Sequence, residues 1–232
     1  MSSKREQSIA ERKARILEAA RTIIARDGYD ALTTRGIAEA AGVTAPTLYN
    51  LVGDKTAIIS AMATASVEEL WGRLHLDERG SPLAMADAIL DEAYAQIMAN
   101  RELNRANLIA LERLGIAYAY HPARDDPGAH AARRSVEMVQ YTCREAQRLG
   151  QLRGNLDAQL LAEQMFAAYR APLDDWLHDA IDASEMLRRQ RIGFYTVLAA
   201  DASEEFREEL LARIAKLAAS QTVHPKMEKE AA

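Results

Sequence analysis

The sequence predicts an all-α fold, and three observations lead there. It holds 45 alanines and 25 leucines against seven valines, a balance that favours helices and starves strands of β-branched residues. Apolar residues recur at helical spacing along most of the chain, and the gaps between these stretches carry helix stop and start residues. With 232 residues the chain suits one or two domains and can bury about 70% of its unfolded surface. Its 49% apolar and 27% charged residues sit near the globular average, which excludes disordered and collagen-like classes. The single Cys143 rules out an internal disulfide framework, and no Cys/His cluster has the spacing of a zinc site. No apolar run approaches the roughly 18 residues of a membrane span, and the start lacks a signal-peptide hydrophobic region. The expectation is a soluble cytoplasmic protein that needs neither metal nor cofactor.

The elements follow in order. Ile16, Leu17, Ala20, Ile23 and Ile24 form one apolar stripe of a helix from about 9 to 27, which Gly28 ends. Thr33 is a candidate N-cap for a short second helix through Ile37 and Ala41, stopped by Gly42. Thr44 can cap a third, with Pro46 in the first turn, where a missing N–H costs nothing. Gly53 and Asp54 supply the next stop and cap, and a long helix runs from Lys55 to about Leu74. The stretch from Asp77 to Pro82 breaks the pattern. Helices are then expected at about 83–100, 102–120, 129–149, 157–180, 184–200 and 203–219. Pro172 should kink or split the helix at 157–180 near Ala171. Asp182-Ala-Ser-Glu185 recurs as Asp201-Ala-Ser-Glu204, and each reads as an acidic cap followed by Glu three residues on. The resulting domain reading is an N-terminal head at 1–54, a connecting helix at 55–76, a C-terminal body at 77–219 and a flexible tail at 220–232.

The net charge of −5 taken alone argues against a nucleic-acid binder, but it is unevenly spread. Residues 1–55 hold nine Lys and Arg against seven Asp and Glu, so only the head is basic. Lys4, Arg5, Arg12, Lys13 and Arg15 crowd the first fifteen residues, opposed only by Glu6 and Glu11. Two short helices joined by Ala41-Gly42-Val43-Thr44 meet the requirements of a helix-turn-helix. Ile37, Val43 and Leu48 can share a small core with Leu17, Ile23 and Ile24. That leaves Ala45, Pro46, Thr47, Tyr49 and Asn50 outward, where hydroxyls can meet phosphate and Asn50 or the Thr47 methyl can read base edges. Any αα-corner can carry such a glycine turn, so the pattern alone leaves DNA binding open.

The run from Gly28 to Tyr49, followed by Lys55, resembles the DNA-binding head of the TetR (tetracycline-repressor-like) transcriptional regulators. Thr33-Thr34, Ile37-Ala38, Ala41-Gly42-Val43-Thr44, Tyr49 and Lys55 sit at that family's order and spacing. The resemblance implies an all-α protein with an N-terminal three-helix helix-turn-helix domain and a larger C-terminal ligand-binding and dimerisation domain. It further implies a homodimer on a pseudo-palindromic double-stranded DNA operator, usually a repressor released by a small molecule. It assigns Thr44, Ala45, Pro46, Thr47, Tyr49 and Asn50 to the recognition helix, and places Thr34, Arg35, Tyr49 and Lys55 on phosphate. Where the family commonly has Tyr-x-His-Phe, this chain reads Tyr49-Asn50-Leu51-Val52. That departure weakens the phosphate grip of the segment and shifts binding towards Arg35, Lys55 and the basic arm.

In the body, Tyr and Met residues at helical spacing suit apolar walls with a few hydroxyls, hence a small hydrophobic effector. The candidate ligand-binding residues are Tyr94, Met98, Leu111, Tyr118, Met138, Tyr141, Phe166 and Tyr169. By the resemblance, the helices at 157–180 and 184–200 would pair across the dimer, with Leu161, Met165, Trp176, Leu187, Ile192, Phe194 and Leu198 as apolar surface. Two rival readings stand beside this one. A ligand-sequestering or protein-binding helical module would have lost operator binding, and a helical enzyme would need a site that the scattered histidines do not supply. No catalytic residue is assigned.

Overall fold

The computed structural model describes residues 4–75, 80–113 and 127–220. Among them are ten α-helices and one 3-10 turn: α1 (Lys4–Asp27), the turn Tyr29–Ala31, α2 (Thr34–Ala40), α3 (Ala45–Leu51), α4 (Lys55–Arg73), α5 (Pro82–Ala99), α6 (Arg101–Arg113), α7 (Pro127–Arg148), α8 (Ala158–Leu177), α9 (Ala183–Asp201) and α10 (Glu204–Ala219). The all-α class is as the composition implies, and the candidate Tyr118 lies outside the described residues. The chain divides into two compact units, Met1–Thr142 and Cys143–Ala232.

In the first unit the helix starts are fixed by side-chain caps. Thr33, Thr44, Asp54 and Ser81 each accept a hydrogen bond from a backbone N–H three residues on, satisfying donors the helix leaves open. A core of Ile16, Ala20, Ile24, Leu32, Ile37, Ala38, Ala41, Leu48, Ile58, Ile59 and Met62 joins α1 to α4, with Ala110 and Leu111 of α6 closing one side. Leu17, Ile23, Val43, Leu51 and Val52 pack against it half-buried. The helical rod α4 is also tied along its length: Gln96 Nε2 donates to Ser66 O at 3.0 Å, and Arg134 of α7 donates to both carboxylate oxygens of Glu68 at 2.6 and 3.1 Å. The Arg134 guanidinium also lies 4.7 Å from the Trp71 ring centre and pairs with Glu137.

In the second unit α8 and α9 pack closely. A Cβ placed on Gly193 of α9 would stand 2.7 Å from the Ala168 Cβ of α8, so glycine is what lets the helices approach. Pro172 does not split α8, which runs unbroken from Ala158 to Leu177 with Pro172 buried. The proline lacks the N–H that would return to Ala168 O, and burial of Pro172, Leu173 and Trp176 holds the helix together across that gap. Leu161, Met165, Trp176, Phe194 and Leu198, read from sequence as dimer surface, are buried within the single chain. The outward face of α8 instead shows Leu160, Gln164, Ala167 and Ala171, and that of α9 shows Arg189, Thr196 and Ala200.

The second acidic-cap reading is corrected as well. Asp182 caps α9, but Ser203 caps α10. Asp201 is the last residue of α9, and its buried carboxylate accepts from Gly154 N at 2.9 Å and Asn155 N at 3.1 Å. Arg153 N also donates to Asp201 O at 2.8 Å and Ser203 N to Gln151 O at 2.7 Å, a short bridge between Leu152 and Ala202. The loop's open N–H groups therefore claim the carboxylate that the sequence pattern offered to α10.

Candidate nucleic-acid interface

The turn between α2 and α3 is built by backbone hydrogen bonds. Gly42 has φ +64; its N–H donates to Glu39 O at 3.1 Å and Val43 N–H donates to Ala38 O at 2.9 Å. This paired closure with glycine in the left-handed region satisfies the last carbonyls of α2 and aims the chain into α3. Ala38 and Ala41 are buried beneath it. The Thr44 hydroxyl then holds Thr47 N at 3.3 Å and lies 2.8 Å from the Thr47 hydroxyl. With Leu48 anchored in the core, the register of α3 is set.

What that register exposes is polar and uncharged. Pro46, Tyr49 and Asn50 are exposed, Thr44 is exposed at the cap, and Ala45 and Thr47 are half-buried. Tyr49 is 51% exposed, and its hydroxyl lies 3.5 Å from the Thr34 hydroxyl. The two helices of the corner therefore bring two hydroxyls to one place, beside exposed Arg35 at the start of α2. A pair of hydroxyls can hold a phosphate, while Asn50 one residue further along α3 can offer its amide to a base edge.

Lys55 stands differently. Its ammonium donates to Tyr29 O at 3.1 Å and sits 3.7 Å above the Tyr29 ring centre. Burial and, next to it, the Asp30 carboxylate push the Tyr29 phenol up, offset by Arg113, so the cation meets a neutral ring. The clamp fastens the start of α4 to the 3-10 turn that follows α1. Tyr29 is the residue that sequence reasoning missed; only its aromatic type was visible, and its partner is 26 residues away. Arg113 at the end of α6 reaches the same corner, 3.5 Å from Asp30 Oδ2.

The body candidates are distributed. Tyr94, Met98 and Tyr141 are half-buried and Met138 is buried, all in the first unit. Leu111 belongs to the head core. Phe166 and Tyr169 lie in the second unit with their rings stacked at 6.5 Å, and burial pushes the Tyr169 phenol up to about 12. Among the described residues no helix is long and apolar enough to cross a membrane.

Residues 16–62 match the family model of the bacterial regulatory proteins of the tetR family. No curated protein is significantly similar to the chain. Solved structures are similar over most of its length. One is a Rhodococcus sp. protein assigned to the TetR-family transcriptional regulators, with 24% identity over 84% of this chain and 100% of that one at a TM-score of 0.59. Another is SmeT, the repressor of the Stenotrophomonas maltophilia multidrug efflux pump SmeDEF, with 18% identity over 84% and 92% at 0.62. A third is RolR in complex with resorcinol, with 19% identity over 88% and 95% at 0.62. Identities this low speak for the fold, and the matched segment covers the second half of α1, all of α2 and α3, and the first turns of α4. Residues 16–62 are therefore similar to the head of the tetR-family bacterial regulatory proteins, and over most of its length the chain shares the fold of solved structures assigned to the TetR-family transcriptional regulators.

Proposed function

We propose that the protein acts as a homodimer on a pseudo-palindromic operator, as a repressor released by a small hydrophobic effector. The observation that carries the reading is the corner itself. A glycine turn and two threonine caps hold α3 so that Tyr49 and Asn50 face outward, and the Tyr49 hydroxyl meets that of Thr34 at 3.5 Å. Recognition then divides between Thr34, Arg35 and Tyr49 on phosphate and Thr47 and Asn50 on bases. Lys55 positions the head through Tyr29 and meets phosphate only by leaving that carbonyl.

The effector reading is supported by the Tyr and Met content of the body and by RolR, a protein of the same fold solved with a small phenol. Ties from α4 to α5 and α7 provide a physical route by which ligand-dependent movement reaches the head. Such coupling requires different ligand affinities in the two states of the dimer and typically amounts to about 1–3 kcal/mol.

Selection of binding sites from a random duplex pool tests the reading. The expected product is an inverted pair of half-sites whose centres are about 34–36 Å apart or a multiple of that. A pool that shows no sequence enrichment would overturn it.

A further inference from the structure

α1 is 24 residues long, yet its contribution to the head core begins only at Ile16. The turns before it, from Lys4 to Arg15, are exposed apart from half-buried Ile9 and Arg12. Twelve residues of helix make a rod about 18 Å long. The rod buries almost nothing, so packing does not explain its composition.

Its charges are ordered. Lys4, Ser8, Arg12 and Arg15 follow one another at i, i+4, i+8 and i+11, and Arg5 joins Arg12 seven residues on. At 3.6 residues per turn the four cations of this stripe fall within an arc of about 100°. Glu6 and Lys13 fall on the opposite side and Glu11 at the margin. Among the described residues no carboxylate pairs with Lys4, Arg5 or Arg15, and Arg12 uses only Nε, on Ser8 O at 3.1 Å.

The rest of the head lacks cations for a polyanion. α3 has no Lys or Arg. Arg21 faces Glu18 and Glu69 at 3.6 and 3.9 Å, Arg26 is paired with Asp27 at 2.6 Å, and Lys55 is held by Tyr29. Among the described residues of the head, only Arg35 is uncommitted outside the rod. A duplex, by contrast, carries about one charge per 1.7 Å of axis, and phosphate contacts supply most non-specific affinity.

We infer that the Lys4–Arg15 stripe is a second DNA-binding element, a rigid helical arm that lies along the phosphates of duplex flanking the base pairs read by α3 and reads no bases itself. Resting on the function proposed above, it separates the head into a neutral reader and a cationic arm. Arg forks suit phosphate oxygens, and Ser8 keeps the stripe free of a competing carboxylate.

Polarisation titrations of the full chain on a selected duplex and on a scrambled duplex, over a series of salt concentrations, test the arm. The variant replaces Lys4, Arg5, Arg12 and Arg15 by Gln, which preserves helix propensity. The slope of log K against log salt should shrink by about 0.9 for each phosphate that the variant no longer neutralises, up to about 3.6 per protomer. Affinity for both duplexes should fall by the same factor, leaving their ratio unchanged. Trimming the flanks from the duplex should shrink the wild-type slope by a similar amount, a readout that needs no altered protein. An unchanged slope with selectivity intact would overturn the arm but leave the reader standing. A changed ratio would overturn the claim that the arm reads no bases. Loss of selectivity in the wild type would instead overturn the proposed function.

Discussion

Gly193 and Gly72 both sit inside helices, and the structure gives them opposite roles. A Cβ on Gly193 would meet the Ala168 Cβ at 2.7 Å, whereas one on Gly72 would meet nothing within 4 Å. Gly193→Ala should therefore push α8 and α9 apart and lower stability by about 1–3 kcal/mol. Gly72→Ala should raise it by about 0.5–1 kcal/mol by removing a poor helix former from an exposed position. Thermal melts of the two variants, moving in opposite directions, are the check. Neither role was legible in the sequence, because helical spacing marks a glycine without naming the residue opposite. Cys143 was easier to read. A lone cysteine has no disulfide partner, and it is buried with its thiol pushed up to about 12 by desolvation and its sulfur 3.7 Å from Met165 Sδ. Tyr49 and Thr34 illustrate the middle case: the family spacing named both, but their meeting needs the Gly42 turn.

At the scale of elements, two arginine-centred ties give tests. Arg134 joins α7 to the C-terminal half of α4 through Glu68 and Trp71 and lowers the Glu68 carboxyl by hydrogen bonding to it. Both carboxylate partners are half-exposed, so the tie is worth about 1 kcal/mol rather than several. Arg134→Gln should speed amide exchange in α4 around Glu68 to Trp71 while leaving the α2–α3 corner protected. Hydrogen exchange measured by mass spectrometry distinguishes that from global loosening.

The second tie is Glu185, buried at the start of α9. It accepts from Arg188 at 2.6 Å and Arg189 at 2.7 Å. Arg189 also reaches Asp175 of α8 at 3.2 Å, and Arg188 donates to Leu217 O of α10 at 3.0 Å. Hydrogen bonding to Arg188, ahead of the opposing burial, lowers the Glu185 carboxyl from an ordinary 4.5 to about 2. Because the folded value is the lower one, the tie stabilises fully above about 4.5 and is lost as pH falls towards 2. Melting temperature should drop across that window in the wild type and drop less in Glu185→Gln, which is already weakened at neutral pH. The caps Thr33, Thr44, Asp54 and Asp182 were legible because each is a local bond between neighbours in sequence. Asp201 was misread as a cap for the converse reason, since its partners lie 46 and 47 residues away.

For the whole molecule, the head's turn, caps and core were readable to the residue and the body only to its class. The head's turn, caps and core fit into about fifty consecutive residues. The ligand candidates were chosen by residue type across separate helices, and the structure places Leu111 in the head core and spreads the other described candidates over two units. A paired, partly exposed surface likewise follows from tertiary packing: α8 and α9 bury their largest apolar residues against each other and leave a sparser stripe outside. The basic head on an acidic chain survives as a molecular feature. Its acidic remainder should repel duplex away from the head and favour one docking orientation.

The central claim is that α3, held by the Gly42 turn, reads duplex DNA. Its most direct test is a polarisation titration at physiological salt comparing a selected duplex with a scrambled one, for the wild type and for Asn50→Ala. The account predicts nanomolar, sequence-selective binding by the wild type, with the preference for the selected duplex reduced by about 1–3 kcal/mol in the variant and little change on the scrambled duplex. Equal affinity of the wild type for both duplexes, or an undiminished preference in Asn50→Ala, would contradict it.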